Sequence, residues 1–331
     1  MSITNVILSG GVGSRLWPLS RKSRPKQYLP IFEGKTLFQN TVTRNREFCD
    51  SVLVVGNQDN FELSRRELTQ ANIDDYSEII EACPRNTAAA IAFAAFSALP
   101  GDILFVTPSD HLIESGAEYQ KAVDRAVTLA QEGYIVTFGL KPTKPETGFG
   151  YIEAKGEDVK GFREKPNLET AEEFLKNGNF FWNSGMFCFQ AGVYLDELKT
   201  FEPEVYETSK TAFESASSGK LDFELSMKIP SISVDYAVME NTKKIKVVLS
   251  EFAWSDMGSF ASIYDHFKKK GHKVDSKGNM VIGTKLHTEF VGLKNTIFVY
   301  TEDAFLILKK DRSQDVKKVF ERLEKERPDL V

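Results

Sequence analysis

Apolar residues in this chain come in short blocks, and the first block sets the pattern. Val6-Ile7-Leu8 runs into Ser9-Gly10-Gly11, which predicts a buried strand that ends in a glycine turn. Similar runs recur at Val52–Val55, Ile103–Val106 and Ile135–Phe138. Between them, Leu37 to Phe48, Asn60 to Ala71, Thr87 to Leu99 and Tyr119 to Gln131 carry apolar residues at helical spacing. Strands alternating with amphipathic helices predict an α/β fold, with a Rossmann-like, mostly parallel sheet flanked by helices.

The rhythm changes after Gly139. Gly148–Ile152, Val159–Phe162 and Asn183–Phe189 read as strands joined by irregular turns, a mixed region that extends the same sheet. Lys268-Lys269-Lys270-Gly271 marks a boundary. Short alternating strands follow from Asn279 to Leu308, then a charged helix from Arg312 to Arg327. The expected organisation is therefore a large domain over 1–268 and a small β-rich C-terminal domain, ending in a helix, over 269–331.

Composition narrows the function. The chain has 331 residues, 41% of them hydrophobic and 27% charged, with net charge −5. A core of this size needs no staples. The acidic balance, without a basic stripe, argues against a nucleic-acid partner. A local cationic pocket for a small phosphorylated ligand stays compatible with it. Cys49, Cys83 and Cys188 show no paired spacing, which argues against a disulfide framework and for a reducing, cytoplasmic setting. The N-terminus has no basic region of the kind a signal peptide needs. The longest apolar stretch, Ala88 to Leu99, is too short to cross a bilayer, so no membrane partner is expected.

Residues 9 to 30 carry the first candidate chemistry. Gly10, Gly11 and Gly13 let backbone N–H groups converge on an anion. Arg15 offers a planar fork of donors and Lys26 a compact charge. Pro18 and Pro25 stiffen the loop. The P-loop string is absent, and Leu16 stands where a dinucleotide fingerprint needs its third glycine. A bare glycine turn with solvated cations is the competing reading. Asp110 follows the strand Ile103–Val106, where ligands collect in open α/β sheets, and Asp256 sits in Trp254-Ser255-Asp256-Met257-Gly258-Ser259. Either aspartate alone reads equally well as a turn residue. Glu164-Lys165 suits a sugar hydroxyl and a phosphate, or a surface ion pair. Asn86 or Thr87 suits the N-cap of the Ala-rich helix.

The whole string from Ser9 to Pro30 closely resembles the signature GGxGxRLxPL, followed by PK, of the sugar-1-phosphate nucleotidyltransferases. Trp17, Ser20-Arg21 and Pro25-Lys26-Gln27 are similar to the mannose-1-phosphate guanylyltransferase branch. Further matches follow in the family's order: RNTA at 85–88, PSDH at 108–111, TGFGYI at 147–152, EKP at 164–166, NSGMF at 183–187, VDYAVME at 234–240, WSDMGS at 254–259, TEDA at 301–304 and DRSQDVKK at 311–318.

The resemblance implies a nucleotidyltransferase fold of the glycosyltransferase-A-like kind. It also implies an enzyme that moves GMP from GTP to mannose 1-phosphate. A divalent cation, Mg²⁺ or another, would lie on Asp110 and Asp256. Arg15, Lys26, Asp110, Lys165 and Asp256 would carry catalysis. Ser9, Gly10, Gly11, Gly13, Ser14, Arg15, Lys26, Arg85, Asn86, Thr87 and Ser109 would hold the nucleotide. Gly150, Glu164, Lys165, Asn183 and Asp235 would hold the sugar phosphate. His111 is expected to make only a structural hydrogen bond, and a homodimer is expected.

The alternatives are a dTTP- or UTP-dependent transferase acting on glucose 1-phosphate, and a silent regulatory subunit that senses sugar nucleotide. Ser9, Val12 and Arg24 depart from the family's usual residues, and 279–295 looks shortened. Val12 removes a hydroxyl that could meet phosphate. No isomerase domain follows the last motif, which predicts a single activity.

Overall fold

The computed structural model describes residues 1–32 and 34–331. Two compact units appear. The first comprises Met1–Gly10, Thr41–Ser109 and Ile113–Trp254; the second comprises Gly11–Asn40, Asp110–Leu112 and Ser255–Val331. The division expected at 268 follows the order of the sequence. The compact units are drawn differently, because the glycine loop and its continuation to Asn40 group with the C-terminal third.

The strands of the first unit are β1 (Ile3–Ser9), β2 (Ser51–Asn57), β3 (Ser77–Glu81), β4 (Ile103–Pro108), and, after a two-residue strand β5 (Leu112–Ile113), β6 (Ile135–Leu140), β7 (Tyr151–Lys155), β8 (Asp158–Arg163), β9 (Phe180–Gln190) and β10 (Ile245–Ser250). Apart from β5 they form one sheet in the order β3-β2-β1-β4-β9-β6-β10-β8-β7. β1 pairs in parallel with both β2 and β4, and β6 pairs in parallel with β10. β9 runs antiparallel between β4 and β6. The mixed, mostly parallel-cored α/β sheet expected from the sequence is what forms. Two details differ. Gly148 to Gly150 is turn rather than strand, and β3 has no counterpart among the apolar runs.

Among the described residues, eight α-helices have residues in this unit: α1 (Leu37–Asn45), α2 (Phe61–Gln70), α3 (Asn86–Phe96), α4 (Ala117–Gln131), α5 (Leu168–Asn177), α6 (Ala191–Phe201), α7 (Pro203–Glu214) and α8 (Phe223–Met227). Side chains alternate across a strand, so Leu104 and Val106 face one layer while Ile103 and Phe105 face the other. The first layer holds α3, α6 and α7, with Ala88 to Ala95 all buried. The second holds α4 through Tyr119, Ala122, Val123, Ala126 and Leu129. Small alanines let α3 lie close to the sheet, and burying this continuous apolar area outweighs the helix's lack of a polar face.

The second unit contains β11 (Trp254–Ser255) in part, α9 (Phe260–Lys269), β12 (Met280–Ile282), β13 (Thr296–Tyr300), β14 (Phe305–Lys309) and α10 (Val316–Glu326). β12, β13 and β14 form a three-stranded sheet. The final charged helix begins as a 3-10 stretch, Lys310–Asp315. Leu16, Trp17, Phe32 and Leu37 share one apolar core with Phe260, Ile263, Ile297, Val316 and Phe320. No helix among the described residues is long and apolar enough to cross a membrane.

Candidate active site

In the second unit the glycine loop is drawn into a fixed shape by its own backbone. Gly11 and Gly13 take left-handed φ values of 85° and 74°, which favour glycine. Leu16 N–H donates to the Gly13 carbonyl at 2.9 Å, the Ser20 hydroxyl donates to the same carbonyl at 2.7 Å, and Lys26 N–H donates to the Val12 carbonyl at 3.1 Å. A Cβ on Gly13 would overlap the Cβ of Lys26. Gly13→Ala is therefore expected to displace Lys26 and to destabilise the fold by about 1–3 kcal/mol, read as a fall in the urea midpoint. An unchanged midpoint would contradict the clash.

Lys26 is the junction of this half. It is 5% exposed, and its Nζ lies 2.6 Å from Asp110 Oδ2 and donates to the Asp256 carbonyl at 2.7 Å. Burial works against the charge of Asp110, but Lys26 and His111 outweigh it and hold the carboxyl below its ordinary value. His111 Nε2 stands 3.6 Å from Asp110 Oδ1. The Asp256 carboxylate accepts the Gly258 N–H at 3.1 Å, and a Cβ on Gly258 would overlap that carboxylate. Between them Met257 holds a left-handed φ of 45° while its side chain is buried. Arg15 is exposed and makes no hydrogen bond or ion pair among the described residues.

No group of three or more His, Cys, Asp or Glu side chains among the described residues is arranged to hold a metal ion. The Lys26 ammonium meets the carboxylate of Asp110 and the backbone carbonyl of Asp256, not the Asp256 carboxylate. Hard oxygen donors such as these two carboxylates suit a divalent ion completed by phosphates.

The first unit holds the other groups. Asn183 is the hub of one. Its N–H donates to the Gly150 carbonyl at 2.8 Å, its Nδ2 donates to Asp235 Oδ1 at 3.1 Å, and its Oδ1 accepts from the Thr137 hydroxyl at 2.9 Å. Glu164 Oε1 accepts from Lys165 Nζ at 2.5 Å. A Cβ on Gly150 would press on Glu164 Oε2, so a larger residue there would have to move that carboxylate. Asp235 opens a π-helical turn, Asp235–Met239, a backbone irregularity common at functional sites. Burial, with repulsion from Glu164, pushes its carboxyl from 3.8 up to about 6, against the pull of Lys165. Lys165 sits above its ordinary value because Glu164 outweighs its burial.

The raised carboxyl yields a test. Between pH 3.8 and about 6 the folded chain keeps a proton that the unfolded chain releases. The group's contribution to stability therefore falls as pH rises through that window and is lost above it. Asp235→Asn should be more stable than wild type at pH 7.5, by on the order of 2 kcal/mol, with the gap closing toward pH 4. Urea midpoints at several pH values read this out. Parallel pH slopes in the two proteins would contradict it.

Arg85, Asn86 and Thr87 lie at the start of α3. The cap position is Arg85, with no side-chain cap bond, rather than Asn86 or Thr87. Thr87 is occupied elsewhere: its hydroxyl accepts the Val234 N–H at 2.9 Å. Arg85 Nε donates to the Ile229 carbonyl at 2.5 Å, and Asn86 takes a left-handed φ of 70°. Ser9 and Ser109 are buried at the C-terminal ends of β1 and β4, and Ser109 Oγ has no hydrogen-bond partner among the described residues. Gly10 is exposed and Ser14 half-buried.

Six non-glycine residues among those described have positive φ: Asn72, Asn86, Lys165, Ser218, Met257 and Asn295. Three of them fall in the RNT, EKP and DMG segments, and such local strain gathers at functional sites. Sequence reasoning missed two residues. Thr137, which orients Asn183, is hidden in an apolar strand. Glu81, at the end of β3, is 7% exposed, its Oε1 has no partner, and burial pushes its carboxyl up to about 8. The available signal was an acidic residue directly after the pair Ile79-Ile80 and shortly before RNTA.

The chain belongs to the nucleotidyl transferase family, whose model matches residues 4–273. A second family model, the MannoseP isomerase/GMP-like β-helix domain, matches residues 272–323. Within the family its relatives are specific. It is 39% identical to a mannose-1-phosphate guanylyltransferase of Salmonella muenchen, over 96% of this chain and 72% of that protein. It is 40% identical to the xanthan biosynthesis protein XanB of Xanthomonas campestris, over the same shares. Among solved structures, a Thermus thermophilus protein described as a mannose-1-phosphate geranyltransferase superposes with TM-score 0.85 at 30% identity, covering 98% of this chain and all of that one.

Proposed function

We propose that this chain transfers GMP from GTP to α-D-mannose 1-phosphate, releasing GDP-mannose and pyrophosphate. The observation that carries the reading is the cationic junction in which Lys26 Nζ meets the Asp110 carboxylate and the Asp256 carbonyl. Relatives that carry the guanylyltransferase name and match nearly all of this chain support the substrates.

In the reaction an oxygen of the sugar phosphate forms a bond to the α-phosphorus of GTP. The bond from that phosphorus to the bridging oxygen breaks, and its electron pair leaves with pyrophosphate. The attacking phosphate is already anionic near neutral pH, with a second pKa of about 6, so no general base is required. The obstacle is repulsion between two polyanions. Asp110 and Asp256 would hold a divalent ion, Mg²⁺ or another, which when bound neutralises phosphate charge. Arg15 and Lys26 grip the triphosphate, with the amides of Gly10, Gly11, Gly13 and Ser14 and the hydroxyls of Ser9 and Ser109 around it. Gly150, Glu164, Asn183 and Asp235 orient the sugar, and Lys165 balances its phosphate. Catalysis is positioning plus charge stabilisation.

We assign the base to the end of β3 and the loop through Arg85, Asn86 and Thr87. Guanine presents two adjacent donors, N1–H and N2–H, an edge that the ionised Glu81 carboxylate matches and that adenine does not offer; burial favours the protonated form in the free chain, so binding guanine would release that proton. Glu81→Gln should narrow the preference for GTP over ITP, measured as a kcat/KM ratio; an unaltered ratio would clear Glu81 of that role. A pyrophosphate-release assay over a panel of nucleotides and sugar phosphates tests the whole reading. Preference for dTTP or UTP with glucose 1-phosphate would reassign the substrates, and nucleotide binding without turnover would favour a sensing subunit. A cytoplasmic homodimer without nucleic-acid or membrane partners completes the proposal, and light scattering tests the dimer.

A further inference from the structure

The loop that carries Gly11, Gly13, Arg15 and Lys26 is held from behind by one side chain not assigned to substrate. Arg21 is 13% exposed, and its guanidinium is used on three sides. Nη1 donates to the carbonyl of Pro18 and, at 3.3 Å, to that of Ser20. Nη2 donates to both carboxylate oxygens of Asp303, at 2.9 and 3.2 Å. The guanidinium carbon lies 5.5 Å from the centre of the Trp17 ring.

Both ends of this bracket are fixed. Asp303 sits in the turn between β13 and β14, where its Oδ1 accepts from the Thr301 hydroxyl at 2.8 Å. Trp17 is 6% exposed, and its indole N–H donates to the Leu330 carbonyl at 2.7 Å. Leu16 and Trp17 lie in the same apolar core as Val316, Phe320 and Leu323 of α10. The held segment acts directly on the anion-binding turn, because Ser20 is the residue whose hydroxyl bonds the Gly13 carbonyl.

From this geometry we infer that Arg21, anchored by Asp303, is a positioning residue for nucleotide binding. The C-terminal β-region thereby sets the shape of the phosphate loop. The planar fork reaches four acceptor oxygens at once, two carbonyls and both oxygens of the carboxylate, whereas a lysine ammonium has three N–H donors on one atom. With the loop already ordered, less entropy is lost when the triphosphate binds. The second contact to the C-terminal helix, Lys22 with Glu324 at 2.5 Å, joins two half-exposed side chains and adds little.

The inference rests on the reading of residues 10–26 as the nucleotide loop, and the test separates the two. Steady-state kinetics with both substrates, Mg-GTP affinity by calorimetry and thermal unfolding are measured for wild type, Arg21→Lys, Arg21→Ala, Asp303→Ala and the Arg21→Ala/Asp303→Ala pair. Asp303→Ala is expected to raise the KM and Kd for GTP about fivefold, with the mannose 1-phosphate KM within about twofold and the unfolding midpoint little changed. Arg21→Lys should move in the same direction, and the double variant should be no worse than Arg21→Ala alone.

A nucleotide KM in Asp303→Ala within about twofold of wild type would overturn the inference. So would equal rises in both KM values, or losses that only track the folded fraction. In each of those cases an active wild type leaves the functional reading standing. A wild type that neither binds nor turns over GTP would sink that reading and this inference together.

Discussion

Asp110→Asn is expected to lower turnover by on the order of a hundredfold or more, because one preorganised charge contact at a polyanion site is removed. The carboxylate does two things in the structure. It holds the Lys26 ammonium at 2.6 Å, and its ionised form is favoured there although burial opposes it. The amide cannot balance that ammonium or bind a divalent ion with comparable strength. The fold should survive, because the Asp110 side chain is one-third exposed and lies after β4 rather than within the core. Pyrophosphate release together with the unfolding midpoint measures both. Near-normal turnover would remove Asp110 from the catalytic set, and a collapsed midpoint would show that its role is structural.

Lys165→Ala should cost a similar factor in kcat/KM for the sugar phosphate while leaving the KM for GTP close to wild type. Its ammonium is the cation that pairs with Glu164 and partly offsets the raised proton affinity of Asp235. Without it, an incoming phosphate meets two carboxyl groups with no counter-charge. The side chain is 61% exposed, so little packing is lost, but Glu164, 8% exposed, is left without its cation and the unfolding midpoint should fall. Varying each substrate in turn separates the two KM values. A variant that loses GTP affinity instead would place Lys165 on the nucleotide.

Much of the fold is legible because its elements obey local rules. β1, β2, β4 and β6 are apolar runs that end at turn residues, and the Ala-rich α3 announces close packing. β3 is not legible: Ser77–Glu81 contains only two apolar residues, and it is the last strand of its sheet, pairing with β2 and, through a single bridge at Ile80, with Lys220. The helices between Leu168 and Met227 escape a sequence reading for a different reason. Leu168–Asn177, Ala191–Phe201 and Pro203–Glu214 match the legible helices in length, and Leu168–Asn177 is clearly amphipathic, but they do not alternate one by one with apolar strands. The cap at Arg85 shows the same limit, since Thr87 is drawn away by a backbone N–H 147 residues along the chain.

The site divides in the same way. The glycines, the Glu-Lys-Pro string and the Asp-Met-Gly turn are local demands for backbone freedom, donors and charge, and such demands are written in consecutive residues. The amino-acid sequence alone therefore determined the chemical groups of this protein and the strings that present them. Only the tertiary structure decided what those groups meet. It brought the Lys26 ammonium to a carbonyl 230 residues away and Asn183 to a carboxyl 52 residues away. It also buried Asp235 beside Glu164, so that one carboxyl of the cluster around Asn183 keeps its proton to about pH 6. Charge state depends on desolvation and on neighbours in space, and neither is a property of sequence order.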